Sequence, residues 1–272
     1  TASRIDLDIS SIDKPRWSGS VSTDWDVDNG GGSGTQNWRE IGSGKGTKFI
    51  QTATSSDSAT FDDTASTGSV NLTTAVTPTG TTVDNNTLNY AFSGSGKLSG
   101  TGNLVKNGSA TLRIANTTAN DYSGTTTINA GTVQLGDGIT PGAGSLGSGA
   151  VINNGILSLN RPDDFAFSAA NLTGAGTLAK DSTNTVNLAA ATTLGNVAVN
   201  SGTLRFDAGG SITGLLSGSG ALRSGGGTLA IAGTGSNTFN GTATVSAGLL
   251  QLNQTTGNAV AGNVVITGTG QL

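Results

Sequence analysis

The stretch NAGTVQL, residues 129–135, decides the fold because the chain repeats it. Related stretches are NNGILSL at 153–159, NSGTLRF at 200–206 and SAGLLQL at 246–252. In each one a glycine precedes alternating apolar and polar residues, which is the pattern of a half-buried β-strand. The glycines are Gly131, Gly155, Gly202 and Gly248, and the second and third intervals between them are about twice the first. These separations predict one, two and two steps of about 23 to 24 residues.

A second short strand lies within the same step, as in TTTINA at 125–130 and TATVSA at 242–247. Short strands joined by small-residue turns, with no helical pattern, are typical of coils of a parallel β-solenoid stacked about 4.8 Å apart. An antiparallel sandwich or barrel is the alternative. The fixed phase of the apolar pairs favours the solenoid. We therefore predict an all-β fold, a parallel β-solenoid.

The composition excludes several classes of enzyme. The chain of 272 residues has 44 Gly, no Cys, no His and no Met, and its only glutamate is Glu40. Without these side chains it cannot have a Ser-His-Asp triad, a thiolate or imidazole metal site, or a disulfide framework. No cofactor is expected. Because Thr1 comes first and no Met occurs, we expect that a secretion signal has been cleaved ahead of it.

The charge of the chain restricts its partners. The formal net charge is −4 and only 11% of the residues are charged, without a basic run. This balance argues against binding to nucleic acid or to an anionic membrane surface. No apolar segment approaches the length of about 18 residues that spans a bilayer. We expect neither a nucleic-acid partner nor a membrane span.

A family resemblance appears in residues 94–136. This run resembles the autotransporter-associated β-strand repeat, whose characteristic stretches fall here at Lys106–Leu112, Tyr122–Ile128 and Ala130–Leu135. A second copy, 218–253, has Phe239 in place of the tyrosine, and a third copy, 174–206, is degenerate. The resemblance covers about two thirds of the chain. It implies a secreted or surface-displayed β-helical passenger of a Gram-negative bacterium, and it brings no catalytic residue.

All three tryptophans, Trp17, Trp25 and Trp38, lie near the amino end. Tryptophans interleaved with turns also precede such repeats in large secreted proteins, as the resemblance implies. A solenoid needs bulky side chains to close its end, so these residues are the predicted cap. The expected organisation is a strand, cap and first coils in residues 1–92, followed by the repeats in residues 93–272.

Three aspartates alternate near the tryptophans, at Asp24, Asp26 and Asp28. Their spacing is that of the first half of a calcium loop, whose sixth position requires Gly and whose twelfth requires Glu. Here those positions hold Asn29 and Thr35. The stretch is therefore predicted to be a strand running into a turn of the cap, with calcium binding as the less favoured alternative and no metal site assigned.

The two ends of the chain suggest self-assembly. Ile5, Leu7 and Ile9 alternate with polar residues as an isolated amphipathic strand. The chain ends within a repeat unit, so we expect unpaired backbone groups around Gly270 and Leu272. Adding the first strand of one copy to the last coil of another would give a head-to-tail filament. The alternative is that the first strand belongs to its own domain.

Two other functions compete with the filament. A passenger of this type could be an adhesin that binds cell-surface or matrix components. An enzyme acting on polysaccharides would use Asp163 and Asp164, within RPDDF at 161–165. Adjacent carboxylates after a proline more often form a turn than a catalytic pair, so we predict no enzyme activity. Lys106 and Lys180, which follow short strands, are expected to point outward and to discourage lateral aggregation.

Overall fold

A computed structural model describes residues 14–168 and 172–272, which form strands and turns without helices. The strands up to Asn153 are β1 (Pro15–Trp17), β2 (Asp24–Trp25), β3 (Trp38–Glu40), β4 (Gly46–Thr47), β5 (Ala59–Asp62), β6 (Ser69–Leu72), β7 (Ala75–Val76), β8 (Gly80–Asp84), β9 (Tyr90–Ser93), β10 (Lys97–Leu98), β11 (Asn103–Asn107), β12 (Thr111–Ile114), β13 (Thr126–Ile128), β14 (Thr132–Leu135) and β15 (Val151–Asn153). Those that follow are β16 (Ile156–Leu159), β17 (Phe165–Phe167), β18 (Leu172–Thr173), β19 (Thr177–Lys180), β20 (Thr185–Leu188), β21 (Thr192–Leu194), β22 (Asn196–Val199), β23 (Thr203–Phe206), β24 (Gly210–Ile212), β25 (Leu216–Ser217), β26 (Ala221–Ser224), β27 (Thr228–Ile231), β28 (Ala243–Val245), β29 (Leu249–Leu252) and β30 (Val264–Ile266).

The strands wind into three faces of a parallel β-solenoid. Face one consists of β1, β5, β8, β11, β13, β15 and β18, and it continues through β21, β24, β27 and β29. Face two is the run β2, β6, β9, β12, β14, β16, β19, β22 and β25. Face three begins with β7 and β10 and later holds β17, β20, β23, β26, β28 and β30. This architecture confirms the predicted all-β parallel β-solenoid.

The coils differ in length, in contrast to the uniform step that the sequence predicts. A long coil runs from Thr126 to Val151, which stacks on it. Shorter coils run from Val186 to its stacked neighbour Leu204 and from there to Leu222. Each of the two longer intervals between the repeat glycines therefore spans two coils and one additional face, whereas the sequence predicts two uniform steps.

Because the coils differ in length, the repeat copies start on different faces. The lysine of the first copy, Lys106, lies in β11 on face one, and Lys180 of the degenerate copy lies in β19 on face two. The corresponding Ser224 of the other copy lies in β26 on face three. Corners of a three-sided coil have equivalent geometry, so one sequence motif can form any of them. The division at residues 92 and 93 stays a prediction, and β9 spans that position.

An aromatic cluster fills the lumen at the amino end. Trp17, Trp25 and Trp38 are fully buried, and the ring centroids of Trp25 and Trp38 both lie 5.3 Å from that of Phe49. Two antiparallel pairings, β1 with β3 and β3 with β4, form the outer edge of face one here. The cluster continues through Phe61 into the aliphatic core. The predicted tryptophan-containing cap region is confirmed.

Corner glycines allow the coils to stack closely. Gly131, at the corner before β14, has a φ of 66°, and a Cβ there would lie 2.5 Å from the carbonyl oxygens of Gly108 and Ala110. A larger residue would both adopt an unfavourable φ and push the neighbouring coils apart. The glycine of NAGTVQL is thus required by the corner and by the coil beneath it.

Two buried asparagines replace strands at places where a face is interrupted. Asn120 lies on face three, where its Oδ1 accepts the N–H of Leu98 at 2.8 Å and its Nδ2 donates to the carbonyl of Ser145 at 2.7 Å. Asn237 makes the same two bonds on face two, to Leu216 and Ala259, each at 2.8 Å. Each side chain therefore joins the coil before it to the coil after it.

Candidate functional site

The carboxylates of Asp24 and Asp26 are used in separate internal hydrogen bonds. Asp24 Oδ1 accepts from Asn71 Nδ2 at 2.7 Å, which ties β2 to β6. Asp26 accepts from the N–H of Thr35 at 3.0 Å and from its hydroxyl at 2.6 Å. Trp25 lies between them and points into the core. The stretch has only two residues in a strand, Asp24 and Trp25.

Asp28 organises the glycine turn that follows. Its Oδ1 accepts the N–H groups of Gly30 and Gly32 at 2.8 and 2.9 Å, and Lys48 Nζ lies 3.4 Å from Oδ2. The N–H of Gly32 is the main cause that lowers the pKa of Asp28 below its ordinary value. Within residues 14–168 and 172–272, no group of three or more acidic side chains is arranged to hold a metal ion. The cap turn stays the favoured prediction over a calcium loop, and a calcium titration tests it.

At the other end of the described solenoid, β30 is the last strand of face three. β30 pairs with β28 on one side, and no described strand pairs with its other edge. Ile266 stacks on the buried Val245 in the lumen and is nevertheless 50% exposed. Gly270 and Leu272 flank Gln271, which pairs with Leu249. The remaining residues of the predicted polymerisation interface, Ile5, Leu7 and Ile9, lie outside the described residues.

The adjacent acids of RPDDF do not face each other across a cleft. Asp163 is paired with Arg161 and also accepts the N–H of Gly142, in the coil before it, at 3.0 Å. Asp164 accepts the N–H of Thr185, in the coil after it, at 2.6 Å. The hydrogen bond from Arg161 is the main cause that lowers the pKa of Asp163. Both carboxylates therefore join coils.

The two repeat lysines point inward, so the expectation that they face solvent is wrong. Lys106 and Lys180 are completely buried. Lys106 Nζ donates to the carbonyl oxygens of Asn107 and Gly108, the latter at 2.7 Å. Lys180 Nζ donates to the carbonyl and, at 3.2 Å, to the hydroxyl of Ser182. Each ammonium group thus satisfies the polar groups of a corner.

The sequence held a signal for this orientation. Leu104 and Lys106 are two residues apart in β11, and residues two apart in a strand point to the same side. Since Leu104 fills the lumen, Lys106 must point there as well. Burial lowers the pKa of Lys106 and of Lys180 to about 8 in each case. The aspartates nearby oppose this shift only in part.

Face three has an outward groove that sequence reasoning did not find. Its volume is about 520 Å³, and its lining includes Asp164, Arg205 and Arg223. Arg205 of β23 and Arg223 of β26 are direct neighbours in register. The sequence shows the two arginines in similar strands, but it does not show that both strands fall on one face. Only the short coils in this part of the solenoid bring them together.

The chain has no helix in the described residues whose length and apolar character would suit a membrane crossing.

Comparison with known protein families gives a match at the first and the second repeat copy. The family model of the passenger-associated-transport repeat matches residues 104–135 and residues 223–252. Together these segments are less than half of the chain. The first runs from β11 to the end of β14, and the second runs from β26 to the end of β29. Each matched segment is therefore one coil and one additional face.

A curated relative matches a longer part of the chain. The adhesin BmaC autotransporter of Brucella suis biovar 1 (strain 1330) is 34% identical over 162 residues, which is 58% of this chain and 4% of that protein. The chain thus corresponds to a small part of this relative. No solved structure matches the chain. The resemblance to the autotransporter-associated β-strand repeat is confirmed, as is secretion to the outside or the surface of a Gram-negative bacterium.

Proposed function

We propose that this chain is a rigid segment of an adhesin-type passenger that acts by binding at the cell surface and not by catalysis. The observation that carries the proposal is the coincidence of the two passenger-associated-transport repeats with stacked coils. The similarity to a protein named as an adhesin supports the binding role. The nine strands of face two alone extend about 40 Å along the axis, at about 4.8 Å for each coil.

Attachment of coated beads tests this function. Latex beads carrying the purified chain should adhere to plated epithelial cells or to matrix-coated surfaces more strongly than beads carrying albumin. A Leu112→Asp variant is the control for folding, because it places a charge in the lumen and should unfold the rod. The proposal fails if the intact chain adheres no better than albumin, or if the unfolded variant adheres equally well.

The second candidate function is assembly of the chain into head-to-tail filaments. The observation in its favour is the exposed edge of β30, with Ile266 uncovered at the end of the lumen. Such an edge can accept a further strand, and residues 1–12, with Ile5, Leu7 and Ile9, could supply it from a second copy. Repetition of this contact would not close, so a fibre would grow.

Electron microscopy over a range of concentrations tests assembly. Assembly predicts long unbranched fibres for the full chain and discrete rods for a variant that lacks residues 1–12. An Ile266→Lys variant should also stop fibre growth, because a covering coil would bury the charge. Discrete rods of the full chain at every concentration would overturn assembly. Fibres of the shortened variant would reject strand donation as the mechanism.

A further inference from the structure

Two arginines on face three have an arrangement that the fold alone does not favour. Arg205 and Arg223 occupy the same outward position in neighbouring strands, about 4.8 Å apart. Like charges directly opposite each other destabilise a sheet. In the first repeat copy the positions that correspond to Arg205 and Arg223 hold Gln134 and Val105. The arginine pair is therefore a property of face three and not of the repeat.

Both guanidinium groups are oriented through their Nε atoms. Arg205 Nε donates to Asp207 Oδ1, and Arg223 Nε donates to the hydroxyl of Ser246 at 3.2 Å. The terminal amino groups of Arg205 and Arg223 have no hydrogen bond to any residue within 14–168 or 172–272. They are held in place and remain available to a ligand. No carboxylate of the described residues forms an ion pair with Arg223.

The groove around the pair is lined with neutral polar groups. Thr185, Thr203 and Thr244 contribute hydroxyl groups, and Asn187 lies next to Arg205 in register. Asn187 Nδ2 donates to Asp207 at 2.6 Å, whereas its Oδ1 is buried without a partner among the described residues. A volume of about 520 Å³ lies within the range of about 300–1,000 Å³ typical of small-ligand sites.

The negative charges near the groove are already engaged. Asp207 accepts from Arg205 and from Asn187, and Asp164 accepts from the N–H of Thr185. Asp207 is paired with Arg205, so Arg223 is the arginine of the groove without an ion pair among the described residues. The unused N–H donors of both guanidinium groups offer a binding point for an anion, although the whole chain has a net charge of −4. A nucleic acid is disfavoured because its binding depends on many phosphate contacts, whereas this groove offers two arginines.

We propose that this groove binds an anionic polysaccharide, with Arg205 and Arg223 holding its carboxylate or sulfate groups. Guanidinium groups bind both of these anions through paired hydrogen bonds. The threonine hydroxyls around them match the hydroxyl groups of a sugar. A peptide could not add to the sheet as a strand here, because β23 and β26 are paired on both sides. The inference deepens the proposed adhesin function and rests on it.

Binding of defined polymers to the purified chain tests the site. Isothermal titration would be carried out with polygalacturonate, which has carboxylates, dextran sulfate, which has sulfates, and neutral dextran. We expect binding of at least one anionic polymer and none of neutral dextran. The polymer that binds more tightly identifies the anion. An Arg205→Ala/Arg223→Ala variant should bind about tenfold more weakly or worse.

Arg113→Ala is the matched control, because it removes the same charge from the same strand position on face two. It should leave the affinity within about twofold of the wild-type value. Equal losses in both variants would indicate a general charge effect and overturn the site. Absence of binding to either anionic polymer, or equally tight binding of polyglutamate, would overturn the assignment to polysaccharide. If the beads still adhere to cells in that case, the adhesin function stands without this groove.

Discussion

Two buried lysines in the lumen, Lys106 and Lys180, make the free energy of unfolding depend on pH in the alkaline range. Burial lowers the pKa of Lys106 and Lys180 to about 8, whereas an unfolded lysine titrates near 10.4. Between these two pKa values the unfolded chain binds more protons than the folded chain, so the free energy of unfolding rises with pH. Below a pH of about 8 the cost of the buried charge is fully present. In urea denaturation we expect the free energy of unfolding to increase by on the order of 1 kcal/mol per lysine between about pH 7.5 and about pH 9.5.

A variant without the buried charges provides the control for this prediction. Lys106→Met together with Lys180→Met should lose most of the rise in the free energy of unfolding over the same pH range. Burial raises the pKa of Tyr90 and Tyr122, so these side chains ionise above that range. The same rise in the double variant would show that other groups cause the pH dependence. A flat wild-type profile would contradict the shifted lysines directly.

At the scale of elements, the buried asparagines take over hydrogen bonds that a strand would otherwise make. Asn120→Ala leaves the N–H of Leu98 and the carbonyl of Ser145 without their side-chain partner. An unsatisfied buried group costs about 1–3 kcal/mol, so we expect a loss of that size in the free energy of unfolding. Asn237→Ala should have a similar effect, since its two bonds are equivalent.

The exposed Asn129 is a suitable comparison for both asparagines. Its Nδ2 donates to Asn107 Oδ1 at 2.8 Å on the outside of face one. Exposed substitutions usually change stability by less than about 0.5 kcal/mol, so Asn129→Ala should be nearly neutral. Chemical denaturation of the three variants compares them. Equal stabilities of Asn120→Ala and Asn129→Ala would show that the buried amide does not join the coils.

Strands were predictable from sequence where the alternation of apolar and polar residues is local. The alternation in Leu112 to Ile114 and in Val133 to Leu135 gave strands that the structure contains. The face of each strand was not predictable, because the glycine corners before β14 and before β23 look alike in sequence. The glycines Gly131 and Gly202 both have positive φ, yet they lie at different corners. The arginine groove depends on those faces and was therefore missed.

Over the whole molecule, each coil is bonded mainly to the coils before and after it. The core of such a solenoid is the sum of neighbouring contacts, with aromatic rings concentrated at the amino end and mostly aliphatic side chains beyond it. The repeat predicted this arrangement because every copy carries the same alternation of apolar residues. Variation in coil length changes the corners and leaves the stacking intact.

Removal of one complete coil should therefore shorten the rod without unfolding it. Thr177 and Asn196 stack in register, so deletion of residues 177–195 keeps the phase of all three faces. Small-angle scattering should show a rod shorter by about 4.8 Å, with β-rich circular dichroism retained. Deletion of residues 177–185, about half of the same coil, puts the buried Val186 at the position of Thr177. This shift exchanges inward and outward side chains and should unfold the molecule from that point. If the variant that lacks residues 177–195 is as destabilised as the variant that lacks residues 177–185, contacts beyond neighbouring coils hold the solenoid together.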